Sequence, residues 1–178
     1  ASIPTTRQQI YFIDNDDYFN RRQMSTDEKG MEYTDNGERA IFFARGVLET
    51  VKKLRWQPDV IVCQGWVSAV VPFYIKTAYA EEPSFAESKV ICAFYPNELK
   101  GSLGHNFKQC VEYREATPDM LADYGDDFDF LELAKMAIDY SDGVVEAAEG
   151  VNAEVIKYAE DKNKPLLRFP GDDFADPY

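Results

Sequence analysis

The chain has 178 residues, 45% of them hydrophobic and 14% aromatic, which suffices for one domain with its own core and is far too apolar for a disordered segment. Asp and Glu outnumber Lys and Arg by 32 to 19, a formal charge of -13; a surface this negative repels phosphate backbones and anionic lipid, so nucleic acid and membranes are excluded as partners. No apolar run approaches the roughly 20 residues of a membrane span, and Ala1 to Thr6 lacks a basic-then-apolar leader pattern, all of which reads as a cytoplasmic protein.

In chain order, the first apolar run is Ile10 to Ile13, read as a strand stopped by the polar cluster Asp14, Asn15, Asp16 and Asp17. A charged loop follows to about Tyr33. Asp35, with Glu38 three residues on, has the spacing of a capping box and predicts a helix start. Ile41, Phe42, Ala44, Val47, Leu48, Val51 and Leu54 then recur at helical steps and form one apolar stripe, which ends among Lys52, Lys53 and Arg55. Val60 to Cys63 is a continuous apolar run, the pattern of a strand buried on both faces in a parallel sheet. A helix is expected from about Trp66 to Ala80, a second buried strand over Val90 to Phe94, and a loop from Pro96 to about Pro118. Asp126, Asp127 and Asp129 lead into a helix holding Leu131 to Ile138; Gly143 to Val145 is a third strand, Val151 to Ala159 a helix, and Pro165 to Leu167 a last short strand.

This alternation predicts an α/β domain, doubly wound and Rossmann-like, with a mostly parallel sheet. Residues 1–178 form a single domain without an internal repeat, and 169–178 is a Pro-, Gly- and Asp-rich tail. Cys63, Cys92 and Cys110 show no Cys-x-x-Cys spacing; the first two sit in apolar runs, where a thiol behaves as a small hydrophobe, and a reducing compartment fits.

Four stretches, in order, resemble the bacterial glycogen and starch synthases. Ile10 to Asn15 with Tyr18 and Phe19 looks like the family's "YFIDN…YF". Tyr33 to Asn36 with Glu38 and Arg39, then Phe42 to Arg45, resembles its "Y-x-D-N-x-E-R-F-x-F-F-x-R" helix opening. Trp56 to Ile61 with Trp66, then Val71 to Lys76, resembles "W-x-P-D-V-I-H-x-H-D-W-H…P-x-Y-L-K". Leu133 to Val145 resembles "L-K-x-G-I-x-Y-A-D-x-V", although the usual "T-V-S-P" continuation reads Glu146, Ala147, Ala148, Glu149. The likeness covers residues 10–158. It implies the N-terminal half of a GT-B glycosyltransferase, with no cofactor and with a nucleotide sugar such as ADP-glucose and an α-glucan as partners. It also implies a Gly-rich "K-T-G-G-L" loop and a second nucleotide-binding domain, neither of which is in these residues.

Glucosyl transfer needs positive charge or N–H donors for the departing diphosphate, and polar groups that orient the sugar. The family's "H-D-W-H" becomes Gln64, Gly65, Trp66 and Val67, and the position matched to its next histidine is Phe94. Both imidazoles and the carboxylate of the first motif are therefore replaced, and Trp66 is expected to pack the start of a helix onto the sheet. Asp14, Asn15 and Asn97 stand as possible ligand-edge residues. Asn97 or Glu98 would replace the second histidine only by a shift of the loop, which is not expected. His105, in Gly104-His105-Asn106, is read as an exposed loop residue, and Asp126, Asp127 and Asp129 as carboxylates complementing a helix N-terminus, with no metal site.

Three readings follow. The chain is a glycogen/starch synthase-like domain that is catalytically incomplete, a pseudoenzyme. Alternatively it is a non-catalytic module that binds glucan or a protein partner, with Tyr11, Tyr18, Phe19 and Trp66 as stacking aromatics. Or it is one part of a multi-segment glycosyltransferase, completed by a further N-terminal segment.

Overall fold

Four short apolar stretches, each joined to the next by a helical one, leave few options: parallel strands need long crossovers, and helices supply them. A computed structural model, which describes residues 6, 8–96 and 98–171, shows this arrangement. Strands β1 (Val60–Gln64), β2 (Lys89–Phe94), β3 (Gly143–Glu146) and β4 (Leu166–Leu167) form one sheet in the order β1-β2-β3-β4, all parallel. Helices α3 (Val71–Lys76), α5 (Phe130–Asp139) and α6 (Ala153–Asp161) connect them in turn, with α3 on α5 and α5 on α6. Helix α2 (Asn36–Lys53), ahead of the sheet, packs on α3 and on a 3-10 turn at Trp66–Ser68.

The helices form by the local rules their sequences suggest. Asp129 caps α5, its Oδ1 accepting the Glu132 N–H at 2.9 Å, and Asn152 caps α6 through Glu154 N–H at 2.9 Å. Phe130, Leu133, Ala134, Ala137 and Ile138 recur at three- and four-residue steps and bury one side of α5 against the sheet. Cys63, Val90, Cys92, Phe94 and Val144 meet them from the strands. Register between β2 and β3 is fixed by Asp142, whose N–H donates to Val90 O at 2.7 Å and whose Oδ2 accepts Val90 N–H at 2.8 Å.

The opposite face of the sheet is different. Val60 is 55% exposed, Val62 53% and Leu167 66%, with Ile91 and Val145 half-buried between them. Pairing places Val62 beside Ile91 and Val145 beside Leu167, so these side chains form one apolar surface. The outer edge of β1 pairs with no strand among the described residues.

Four expectations need correction. Ile10 to Ile13 is not a strand: Ile13 instead seats on α2 at Gly46, where a Cβ would come within 2.9 Å of Ile13 Cγ2, and Tyr11 meets Trp56 edge-on at 5.1 Å. The helix expected over 66–80 is split, because Pro72 has no N–H to bond back to Ser68; a 3-10 turn ends there and the shorter α3 begins at Val71. The capping box at Asp35 and Glu38 is not made either. Asp35 takes a bidentate pair with Arg21, at 2.7 and 2.6 Å, and Glu38 accepts the Tyr18 hydroxyl at 2.9 Å. The stretch 96–118, read as loop, contains one helical turn, α4 (Phe107–Cys110), anchored by Phe107 against Phe128 at 4.7 Å. Of the tail, only 169–171 lies within the described residues.

A helical turn α1 (Asp16–Phe19) and the loop after it are held onto α2 by a buried cation. Arg39 is 1% exposed; its Nε donates to Tyr18 O at 2.9 Å, and its Nη1 donates to Met24 O at 2.6 Å and Asn36 Oδ1 at 2.7 Å. Replacing Arg39 with Met leaves three acceptors unpaired, and we expect a loss of roughly 2–4 kcal/mol in urea unfolding. Hydrogen exchange at the amides of 18–24 should accelerate in step. A loss under about 0.5 kcal/mol would show that other contacts hold this segment.

Candidate functional site

Because β1 and β2 are parallel and in register, with Gln64 opposite Ala93, both deliver their following residues to the same sheet edge. Ligands of open α/β sheets bind at this carboxyl edge. After Gln64 the chain must leave the sheet and enter the 3-10 turn at once. Gly65 makes that corner at φ 70° and ψ 174°, a backbone state that side-chain-bearing residues avoid. Its N–H still donates to Ala93 O at 3.2 Å, and the Ser68 hydroxyl closes the turn on the carbonyls of Gln64 and Gly65 at 2.9 and 3.1 Å.

The structure separates the residues singled out here. Gln64 presents an exposed side chain at the edge. Trp66 is buried in the core beneath α2, with the Arg39 guanidinium 5.8 Å from its ring centre, and Val67 packs half-buried beside it. Phe94 points to the helical face and meets Phe130 at 6.4 Å, so its ring does not reach the edge. Asn97 lies outside the described residues. Asp14 is exposed, and Asn15 caps α1, its Oδ1 accepting the Tyr18 N–H at 3.0 Å. His105 is 87% exposed, its Nδ1 3.8 Å from Asp127 Oδ1, too long for a hydrogen bond. Asp127 also accepts the Ser102 hydroxyl, and Asp126 lies 3.3 Å from Lys108 Nζ, so only Asp129 of this acidic cluster caps a helix. The thiols of Cys63 and Cys92 are pushed up by burial, that of Cys92 to about 12, and they behave as apolar core groups.

A carboxylate that the sequence pattern gave little reason to expect is present at the edge. Glu98, four residues beyond β2, folds back toward β1, and its Oε2 accepts the Trp66 N–H at 3.1 Å. Its Oε1 is buried and has no hydrogen-bond partner among the described residues. That oxygen lies 3.8 Å from where a Cβ on Gly65 would stand, an ordinary van der Waals separation, so the positive φ rather than crowding is what favours glycine at 65. Burial raises the Glu98 carboxyl above its ordinary range, while the backbone N–H groups of Trp66 and Tyr95 pull the other way. The available signal was indirect: a glycine at the motif position and an acidic residue just past the next strand.

A second concavity of about 500 Å³ lies along α2, lined by Tyr18, Glu38, Phe42, Arg45, Glu49 and Tyr113 among others. Tyr18 tilts against Phe42 at 5.3 Å, Arg45 lies 3.9 Å over the Tyr113 ring, and Glu49 accepts the Tyr79 hydroxyl at 2.7 Å. Flat aromatic faces beside fixed acceptors suit a hydroxylated, partly apolar ligand.

Comparison with known proteins places these features. Residues 1–168 match the family model described as starch synthase catalytic domain. The chain is similar to the glycogen synthase of Vibrio parahaemolyticus, 39% identical over 102 residues, covering 57% of this chain and 21% of that protein. It is also similar to the glycogen synthase of Chlorobium limicola, 38% identical over 104 residues, covering 58% of this chain and 21% of the relative. The chain thus matches about a fifth of the length of these curated relatives. In fold it is similar to the catalytic domain of starch synthase IV from Arabidopsis thaliana, solved bound to ADP and acarbose. There the TM-score is 0.61 at 17% identity, over 83% of this chain and 31% of that one.

The raised Glu98 carboxyl sets a pH signature. A carboxyl whose folded pKa lies above its unfolded one, about 4.3, favours the folded state fully below that value, and the advantage is lost as pH rises through the folded pKa. Glu98→Gln should therefore match the parent chain in urea unfolding near pH 4 and become the more stable of the two as pH rises to 7. Equal stability at both pH values would show that Glu98 is solvated.

Proposed function

Because this chain belongs to the family of starch synthase catalytic domains, we propose that it serves α-glucan metabolism as a cytoplasmic, sugar-facing domain that does not transfer glucose by itself. One observation carries this reading. The carboxyl edge of β1 and β2 presents Gln64, Gly65, the buried ring of Trp66 and the apolar Val67, with Phe94 turned into the core, while the sequence's single histidine is solvated elsewhere. The acidic group that does reach the edge, Glu98, has the wrong sign for a leaving diphosphate, whose developing charge needs cations or N–H donors. Binding of a neutral sugar needs none of these, and the aromatic concavity along α2 offers a surface for it. The related starch synthase IV was solved with ADP and acarbose, which supports a nucleotide sugar and an oligosaccharide as the ligands to try.

Incubation with radiolabelled ADP-glucose and glycogen should give no incorporation above a protein-free blank, whereas migration through a glycogen-containing gel should be retarded. Tyr18→Ala, which removes one ring of the concavity, should lessen the retardation. Turnover above the blank would overturn the non-catalytic reading, and unretarded migration of the parent chain would overturn the glucan-facing one.

The uncovered sheet face favours a second reading, in which the domain is one part of a multi-segment glycosyltransferase. Val60, Val62 and Leu167 stand out from an apolar surface beside a β1 edge that pairs with no described strand. Such a face and edge fit a parallel strand with a covering helix from another protein segment, and covering each half-exposed side chain is worth about 1 kcal/mol. For the chain alone, Val62→Lys should change urea unfolding by less than about 0.5 kcal/mol and reduce self-association in sedimentation. A loss of about 2 kcal/mol or more would show that the chain covers this face itself.

A further inference from the structure

An arginine offers five N–H donors in a planar fork. Arg21 spends them on Asp35, Arg114 on Glu49, Arg168 on Glu146 and Glu160, and Arg39 on two carbonyls and an amide oxygen. Arg45 has no such acceptor among the described residues: its guanidinium stacks 3.9 Å from the centre of the Tyr113 ring and makes no ion pair or hydrogen bond. It stands in the concavity of about 500 Å³ along α2. Glu38 lines the same concavity two helical turns earlier, about 10 Å away along the axis. Its Oε2 accepts the Tyr18 hydroxyl at 2.9 Å, while its Oε1 receives no donor among the described residues. Ile41 and Phe42 lie between the two, with the Tyr18 ring 5.3 Å from that of Phe42. A cation, an aromatic floor and an acceptor thus stand in a row.

The chemistry of the ligand follows from that row. A wholly neutral ligand leaves the Arg45 fork unmatched. Phosphate brings more than one negative charge to a concavity that Glu38 and Glu49 also line, on a chain of charge -13. A single carboxylate is planar, matches the guanidinium with two parallel hydrogen bonds, and adds one charge. Glu49 opposes it little, because Arg114 at 3.1 Å and the Tyr79 hydroxyl at 2.7 Å already hold that carboxylate. An aromatic body covers Ile41 and Phe42, and a hydroxyl at its far end reaches the free oxygen of Glu38.

We propose that the concavity along α2 is a binding site for a free hydroxyaryl monocarboxylate, whose carboxylate pairs with Arg45, whose ring packs on Phe42 beside Tyr18, and whose hydroxyl donates to Glu38 Oε1. A space of about 500 Å³ holds a molecule of that size whole. The assignment goes beyond the α-glucan reading and does not require it. Where a glucan also occupies this concavity the two ligands exclude one another, so the carboxylate acts as an effector that releases the sugar.

The test is a proton–nitrogen NMR titration of the whole chain with 3-(4-hydroxyphenyl)propionate and, separately, with its neutral amide, which has the same body without the charge. Both are repeated on Arg45→Gln and on Arg22→Gln, a charge control at an exposed arginine paired with Glu28. The amides of Phe42, Gly46, Cys110 and Tyr113 should shift with the acid. Affinity should be about tenfold or more weaker for the amide, and should fall by a similar factor for the acid in Arg45→Gln but not in Arg22→Gln. Alkylation of Cys110, the exposed thiol of the concavity, by N-ethylmaleimide should slow in the presence of the acid, with Cys63 and Cys92 buried and silent. Equal affinity for acid and amide would overturn the proposal without recourse to any variant, as would undiminished affinity in Arg45→Gln or shifts confined to other parts of the chain. A parallel titration with maltoheptaose separates the two readings. Shifts with the acid but none with maltoheptaose would overturn the glucan reading and leave this one standing; shifts with maltoheptaose but none with the acid would overturn this one alone.

Discussion

Parallel strands laid down in chain order, each joined to the next by a helix, impose one constraint from which most of this molecule follows. Such crossovers share a hand, because a right-twisted strand feeding a helix packs back onto its sheet in only one way. With the order β1-β2-β3-β4, the connecting helices are carried to the same face, where they share one core with Cys63, Cys92, Phe94 and Val144. The other face is left with Val62, Ile91, Val145 and Leu167. The same constraint brings the carboxyl ends of the strands to one edge, which is why Gln64, Gly65 and the loop holding Glu98 become neighbours although 34 positions separate Gln64 from Glu98.

At that edge the physical question is the sign of the charge. A leaving diphosphate calls for donors and cations, whereas a sugar hydroxyl calls for an acceptor. Gln64, Gly65 and Val67 supply no cation, and the polar group that the fold delivers beside them is a desolvated carboxylate. Gly65 enables this through its conformation, which turns the chain within one residue.

The segment ahead of the sheet illustrates how tertiary contacts outcompete local ones. Asp35 stands at a helix start with good capping chemistry, yet a bidentate pair with Arg21 is the stronger bond available to it, and Arg21 holds the Asp35 carboxyl below its ordinary range. Arg39, deep under the same loop, gathers two carbonyls and an amide oxygen while lying against the rings of Phe19, Tyr33 and Trp66. Together these two arginines replace the capping box with a network that fixes residues 18–36 onto α2.

The sequence by itself determined the α/β class, strands over 60–63, 90–94 and 143–145 that the structure extends by a residue each, the stripe of α2, the helices after 129 and 151, and the family. These depend on periodicity and on short-range hydrogen bonding, which neighbouring residues settle among themselves. It also indicated that Trp66 belongs to the core and His105 to an exposed loop. Only the tertiary structure decided that Ile10 to Ile13 docks on α2 rather than pairing as a strand, that one sheet face stays uncovered, and that Glu98 reaches Gly65. Each of those depends on which surfaces meet across tens of residues. A pattern along the chain records how apolar a segment is, but not which partner it finds.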